Sequence, residues 1–211
     1  MTLSRRGHEY VIAADGKDLM SSRMHGSEEA LATLGCAHLR KRPVPVEEPC
    51  VLVGGLGMGF TLRAALDELP ADATVVVAEL LAAVVDWNRG PLAPLAGRPL
   101  DDRRVRVELG DVGQTLRAGP RRFDAVLLDV DNGPAAFAQD RNAGLYGNDG
   151  LAIARAALKP GGVLAVWSAW DDRKFEQRLR YAGFTVETER VRARLKQGGP
   201  RHTIFLGRLP P

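Results

Sequence analysis

From Cys50 onward the sequence alternates short, almost wholly apolar runs with helical stretches, and this alternation most limits the folds open to the chain. The runs Cys50–Val53, Thr74–Ala78, Phe123–Leu128 and Val163–Trp167 lack a consistently polar face. Strands of that kind are covered on both sides, as in a parallel sheet flanked by helices. Phe60–Leu69, Leu80–Asn88, Val112–Arg117, Asn148–Leu158 and Asp172–Ala182 supply the helices, and Leu62, Ala65, Leu66 and Leu69 fall on one side of the first. Arg104–Glu108 adds a strand of alternating character. Thr185–Leu195 and His202–Leu206 flank Gln197-Gly-Gly-Pro200 and predict a terminal hairpin.

The expected fold class is therefore α/β: a Rossmann-like, doubly wound, seven-stranded, mostly parallel sheet with an antiparallel C-terminal hairpin. Upstream, Glu9–Ala14 and Lys17–Met20 flank Asp15-Gly16, which predicts a short N-terminal β-hairpin. Gly26-Ser27-Glu28-Glu29 then opens a helix to about Leu39, with Ser27 as N-cap and acids in the first turn. The charged, proline-rich stretch 40–49 reads as a linker, dividing an extension (1–48) from the main domain (49–211). The extension is too small to fold alone and is expected to pack on the rest.

With 211 residues and 45% apolar content the chain can build one sizeable core, which argues against wholesale disorder. No apolar run approaches the ~18 residues of a membrane span. Met1–Gly7 leads into no hydrophobic segment, so neither a signal peptide nor a membrane partner is expected and the default compartment is the cytoplasm. The two cysteines, Cys36 and Cys50, stand outside any CxxC or His/Cys cluster and read as small buried hydrophobes; no metal site is expected. A net charge of +3 is not by itself a nucleic-acid signal.

In an open α/β sheet, ligands lie at the carboxyl ends of the strands. There the first apolar strand ends in Gly54-Gly55-Leu56-Gly57-Met58-Gly59 and runs straight into a helix, a turn that lets backbone approach a ligand closely. The dinucleotide pattern GxGxxG would need glycine at Phe60, so an adenosyl ligand without pyrophosphate is favoured over NAD. Glu79 ends the second strand, 20 residues after Gly59, where a carboxylate can accept both ribose hydroxyls; Leu80 follows it. Asp111, before Val112, either accepts from an adenine amino group or caps the next helix. Asp129 ends the fourth strand in Asp129-Val130-Asp131-Asn132-Gly133-Pro134. A carboxylate partly desolvated there, with a second acid such as Asp131 nearby, is expected to have a raised pKa and to take a proton from an attacking amine or hold a cationic substrate. Asp131 and Asn132 can equally shape an Asx-turn.

These motifs resemble the spermidine synthase family of aminopropyltransferases, within the class I methyltransferase-like fold. The resemblance spans about Glu9 to Phe205 and rests further on Leu100–Val107 leading to Gly110-Asp111, on Phe123–Asp129, on Gly133-Pro134-Ala135, on Leu145-Tyr146 and on Leu158-Lys-Pro-Gly-Gly-Val-Leu164. It implies decarboxylated S-adenosylmethionine as donor and a small amine as acceptor. Glu79 would hold the ribose, Asp111 the adenine, and Asp129 would help deprotonate the amine. Asp131 would be a second catalytic acid, with His25, Asn132, Tyr146 and Trp167 toward the acceptor. The family's longer N-terminal β-domain is shortened here, and its glycine turn carries an acid that this turn lacks.

Ordinary S-adenosylmethionine has a carboxylate that such an acid would repel, so a methyltransferase is the alternative. A non-catalytic module is the third reading. Its motive is Arg190, Arg192 and Arg194, which share one strand face at period two and could meet RNA, although protective charge on an edge strand explains them as well. Trp87, Trp167 and Trp170 are core candidates, the last two near the mouth of the sheet. The sequence is compatible with a homodimer and does not fix the oligomeric state.

Overall fold

The computed structural model describes residues 1–14, 16–40, 46–130, 133–134, 143–194 and 198–211. Asp15 of the expected turn, residues 41–45 of the linker, Asp131, Asn132, Ala135 and Gln197 therefore lie outside the described residues. The chain begins with three antiparallel strands, β1 (Thr2–Arg6), β2 (Glu9–Ala14) and β3 (Lys17–Ser21), followed by helix α1 (Gly26–Arg40). The expected hairpin is thus β2–β3, and β1 extends it by pairing from Thr2↔Ala13 to Arg6↔Glu9. Polar Ser4, Arg5 and Arg6 gave β1 no periodic signal; its pairing with β2 creates it.

The main sheet is built from β4 (Cys50–Gly54), β5 (Thr74–Glu79), β6 (Val105–Leu109), β7 (Phe123–Leu128), β8 (Leu158–Ser168), β9 (Thr185–Arg192) and β10 (Arg201–Arg208). Its helices are α2 (Phe60–Glu68), α3 (Ala82–Arg89), α4 (Val112–Arg117), α5 (Ala143–Tyr146), α6 (Asn148–Ala157) and α7 (Arg173–Tyr181). The strand order is β6-β5-β4-β7-β8-β10-β9; β6 through β8 run parallel and β10 pairs antiparallel with both β8 and β9. The chain winds outward from β4 to β6 and then returns to β7, so the sheet changes direction between β4 and β7. At that switch point the carboxyl ends open a crevice.

Alternate residues of each central strand serve opposite layers, as a period of two requires. Val51, Val53, Val75, Val77, Ala125, Leu127 and Ala165 pack under Leu31, Ala32 and Cys36 of α1 and Leu62, Ala65 and Leu66 of α2. Leu52, Val76, Val126, Leu128, Leu164 and Val166 pack with Leu116 of α4, Leu151 and Ala154 of α6, and Phe175 and Leu179 of α7. A third cluster joins Ile12 of β2 to Met58 and Phe60, seating the N-terminal sheet directly on the glycine turn.

Four local expectations need correction. Helix α1 starts at Gly26, so Ser27 lies inside the first turn and its hydroxyl bonds other side chains. Helix α3 begins at Ala82, two residues late, because the Glu79 carboxylate takes the Leu81 N–H first. Lys159-Pro160-Gly161-Gly162 does not end a helix as a loop; it is the entry of β8, which starts at Leu158. The ladder jumps there from Phe123↔Leu158 to Ala125↔Val163, an irregularity that accommodates Pro160, which has no N–H to pair. The arginine face is likewise shorter than expected: β9 ends at Arg192, and Arg190 pairs with Asp171 at 2.6 Å.

Lys159 has its own structural task. Its Nζ donates to the buried Asp124 carboxylate at 2.7 Å, which also accepts the Cys50 N–H at 2.9 Å, tying β8, β7 and β4 together at the end opposite the crevice. Lys159→Met leaves that carboxylate buried without its cation, and urea denaturation should register a loss of about 3 kcal/mol.

Candidate functional site

The crevice is assembled around the turn from β4 to α2. Gly55 sits at φ 89°, and a Cβ there would collide with the Asp129 carbonyl, so only glycine lets the two loops touch. Backbone bonds close the contact: Gly55 N–H donates to Ala78 O at 2.9 Å and Asp129 N–H to Gly54 O at 2.8 Å. The Glu79 carboxylate, 7% exposed, accepts Leu56 N–H with one oxygen and Leu81 N–H with the other, both at 2.9 Å. Buried Asn88 holds the far side, donating to Gly57 O at 2.8 Å, and the Met20 side chain of β3 lies against Gly57. Gly59 then begins α2. The turn therefore brings Gly54, Gly55, Leu56, Gly57, Gly59 and Glu79 together at one strand tip, with the carboxylate aligned by two backbone donors.

Beyond Glu79, Leu80 is 62% exposed and Leu109, at the tip of the adjacent β6, is 61% exposed. Large side chains left bare at neighbouring strand tips suit a flat apolar ring. Asp111 caps α4, accepting Gln114 N–H at 3.2 Å, while Val112 is buried against Gly54. Both alternatives for Asp111 remain geometrically compatible, since the cap engages one oxygen.

Asp129 is where the structure adds most. Thr61 of α2 donates to its carboxylate at 2.6 Å. Burial pushes the Asp129 carboxyl up to about 6, against the lowering effect of that hydrogen bond. Asp131, the second acid expected beside it, lies outside the described residues, and another acid faces Asp129 from the N-terminal helix: Glu28 is buried, and desolvation together with the Asp129 charge raises its carboxyl to about 7. In the sequence Glu28 reads as an ordinary first-turn acid of α1. Only the docking of α1 over β7 and β8, with Thr61 Oγ1 3.4 Å from the Glu28 carbonyl, brings it to the site. The adjacent Ser27 hydroxyl lies 2.7 Å from Glu28 Oε2 and 2.8 Å from His202 Nδ1, and the His202 ring meets Trp167 edge-on at 4.6 Å.

Of the remaining candidates, His25 stacks on Phe60 at 4.1 Å and holds Glu29 at 2.6 Å, beside the turn. Tyr146 is buried against Phe175, its hydroxyl donating to Val130 O at 3.2 Å, where it supports the loop after β7. Trp167 sits half-buried at the end of β8 and Trp170 is exposed. Gly133 (φ 80°) packs on the Trp167 carbonyl, bringing the loop beyond Asp129 back onto the end of β8. Among the described residues no group of three or more His, Cys, Asp or Glu is placed to hold a metal ion, and no helix is long and apolar enough to cross a membrane.

By fold this is a Rossmann-like α/β protein of the class I methyltransferase type. The chain superposes on an O-methyltransferase, TomG from Streptomyces achromogenes in complex with SAM, with TM-score 0.60 and 17% identity over 88% of this chain and 80% of that one. It is similar in fold to spermidine synthases and, over part of its sequence, to polyamine aminopropyltransferases. The spermidine synthase of Thermotoga maritima matches with TM-score 0.73 and 17% identity over 99% of this chain and 72% of that one. In sequence the chain is 35% identical over 119 residues to a polyamine aminopropyltransferase of Mycobacterium tuberculosis, covering 55% of this chain and 22% of that protein. It is also 35% identical over 117 residues to that of Nitrosomonas europaea, covering 54% and 34%. The match thus spans well under half the length of these curated relatives. No family model matches the chain.

The acid pair has a measurable cost. Both carboxyls hold protons more tightly folded than unfolded, so the folded chain binds more protons between pH ~4 and ~7 and stability falls as pH rises through that window. Glu28→Gln should stabilise the protein at pH 7.5 and flatten the dependence of its melting temperature on pH between 4.5 and 7.5.

Proposed function

We propose that this chain is a transferase that binds decarboxylated S-adenosylmethionine, or S-adenosylmethionine itself, and passes an aminopropyl-type alkyl group to a small amine. One observation carries the reading: half-buried Asp129 and buried Glu28 adjoin a glycine turn and its aligned carboxylate, in a chain similar over part of its length to polyamine aminopropyltransferases. The cradle fits the donor, because Gly55–Gly59 offers close backbone, Glu79 a fixed carboxylate, and Leu80 and Leu109 an apolar seat. The donor supplies a carbon activated by a neighbouring sulfonium; its bond to sulfur breaks as the amine's bond to carbon forms, and a neutral thioether leaves. The protein needs no strong acid for that departure. Its work is alignment, exclusion of water and removal of a proton.

Asp129 is the base. It attracts a protonated amine to the crevice and accepts the proton that the nitrogen sheds, while Thr61 fixes the carboxylate rotamer. Its raised pKa matches the task, since a base near neutrality both accepts and releases a proton readily. Glu28 adds a second acid that favours a cationic acceptor. Asp131, Asn132, Tyr146 and Trp167 are proposed to shape the acceptor side, and Asp111 to face the adenine.

Methyl transfer is the second reading. It is favoured by the absence of an acid in Gly55-Leu56-Gly57-Met58-Gly59, which leaves room for a donor bearing its own carboxylate. Calorimetry with S-adenosylmethionine, its decarboxylated form and methylthioadenosine separates the two: tighter binding of the decarboxylated form supports aminopropyl transfer, tighter binding of the full amino acid supports methyl transfer, and binding of none removes both.

Glu79→Gln should weaken whichever nucleosides bind by roughly 10-fold or more, the scale of a hydrogen bond to a charged group. Asp129→Asn should lower kcat by roughly 100-fold with little change in donor affinity, the scale of a lost general base. In the unaltered chain kcat should climb with pH between about 6 and 7 as the pair ionises.

A further inference from the structure

The glycine turn is open along only part of its length. Gly54, Leu56, Met58 and Gly59 are buried, while Gly55 and Gly57 keep part of their surface exposed. Side-chain directions along the turn lead to different neighbours. A Cβ at Gly55 would meet the Asp129 carbonyl, and one at Gly59 the Asn88 amide oxygen and Pro99. A Cβ at Gly57 would stand 2.9 Å from the Met20 methyl and 3.1 Å from its sulfur. Gly57 also has φ 52°, a backbone that suits glycine. The space into which the turn could project a side chain at Gly57 is therefore filled by the thioether of another element.

The N-terminal sheet brings Met20 there. Met20 stands opposite Ile12 in the β2–β3 ladder and packs against the cluster that Ile12 forms with Met58 and Phe60, yet it remains half-exposed. It is thus fixed from behind and open toward the crevice side of Gly57.

We propose that Met20 is a donor-specificity residue: its side chain meets the arm carried by the donor's sulfur and helps set the choice between decarboxylated and ordinary S-adenosylmethionine. This rests on the nucleoside reading above.

Strand order gives the direction in which the donor lies. Leu80 and Leu109 are exposed beside the tips of β5 and β6, Glu79 ends β5, and Asp129 follows β7 on the far side of β4. With the base on the leucines and the sugar at Glu79, sulfur lies above the open part of the turn, between Glu79 and Asp129. An arm leaving sulfur over Gly57 runs onto Met20. The two candidate arms differ in charge: the decarboxylated donor ends in an ammonium, and the ordinary donor carries a carboxylate as well. An acid at this place would favour the first and a cation the second. A thioether is uncharged and polarisable and packs against either, so at Met20 the two donors are distinguished by shape alone.

Carbon-13 methyl NMR on the full-length chain, labelled at its four methionines, tests the contact directly, with Met20→Leu identifying the signal. S-adenosylmethionine or its decarboxylated form should shift the Met20 methyl, and methylthioadenosine, whose sulfur carries only a methyl, should shift it far less. Equal shifts with all three nucleosides, or none with a donor that calorimetry shows to bind, overturn the proposal. Calorimetry on Met20→Glu and Met20→Lys supplies the second readout. The first should move the affinity ratio toward the decarboxylated donor by roughly 10-fold and the second toward S-adenosylmethionine by as much, the scale of a partly screened charge pair, with methylthioadenosine changed less than about 2-fold. Unmoved ratios in folded variants, or an equal change in all three affinities, overturn it. Should the charged variants fail to fold, the methyl shifts of the unaltered chain decide alone. An unaltered chain that binds none of the three counts against the nucleoside reading itself, and Met20 then has no arm to read.

Discussion

Everything at the mouth of the sheet depends on one close approach, that of the Gly55 backbone to the carbonyl of Asp129. No residue with a Cβ could stand at Gly55 without pushing the loop after β7 away. Because the two loops touch, Asp129 is drawn into hydrogen bonding with Gly54 and its side chain is directed to Thr61 on the helix that the same glycine turn initiates. The turn thus sets the position of the acid as well as of any nucleoside. Glu79 reinforces the arrangement from the other flank, accepting one N–H from the turn and one from the start of the next crossover.

The N-terminal segment is part of this construction. Ile12 packs with Met58 and Phe60, and Met20 lies against Gly57, so the small sheet covers the turn. Helix α1 shares a core layer with β4, β5 and β7 and carries Ser27 and Glu28 to the crevice. Holding half-buried Asp129 near buried Glu28, two acids that repel each other, is unfavourable for stability, and a core built only for stability would avoid it. Their retention beside a nucleoside-type cradle is the pattern expected of a site that handles protons or cations.

Opposite ends of the same strands have different tasks. At the far end Lys159 neutralises Asp124, and the Pro-Gly-Gly bend allows β8 to begin irregularly beside β7. That buried acid has its cation and serves only to join strands. At the carboxyl ends Asp129 has a hydroxyl donor and a second acid in place of a cation. The motif Phe123–Asp129 therefore contains two aspartates in different settings, one held by a cation and one by a hydroxyl, and position along the strand separates them.

The sequence alone determined the layered α/β fold, because wholly apolar strands such as Thr74–Ala78 can exist only with helices on both faces. It also marked Gly54–Gly59, Glu79 and Asp129, since each follows a strand whose end is legible from its apolar run. Local pattern could not reveal β1, whose polar residues gain strand form only from β2, nor the strand character of Lys159–Gly162, which looks like a helix stop. Glu28 and His202 were beyond its reach for a stronger reason. One is a helix-start acid, the other a histidine in a C-terminal strand, and the fold of the chain between them is needed to bring them to the same serine. Burial and mutual charge, which turn Glu28 from a solvated acid into a partner of Asp129, exist only once those layers have closed.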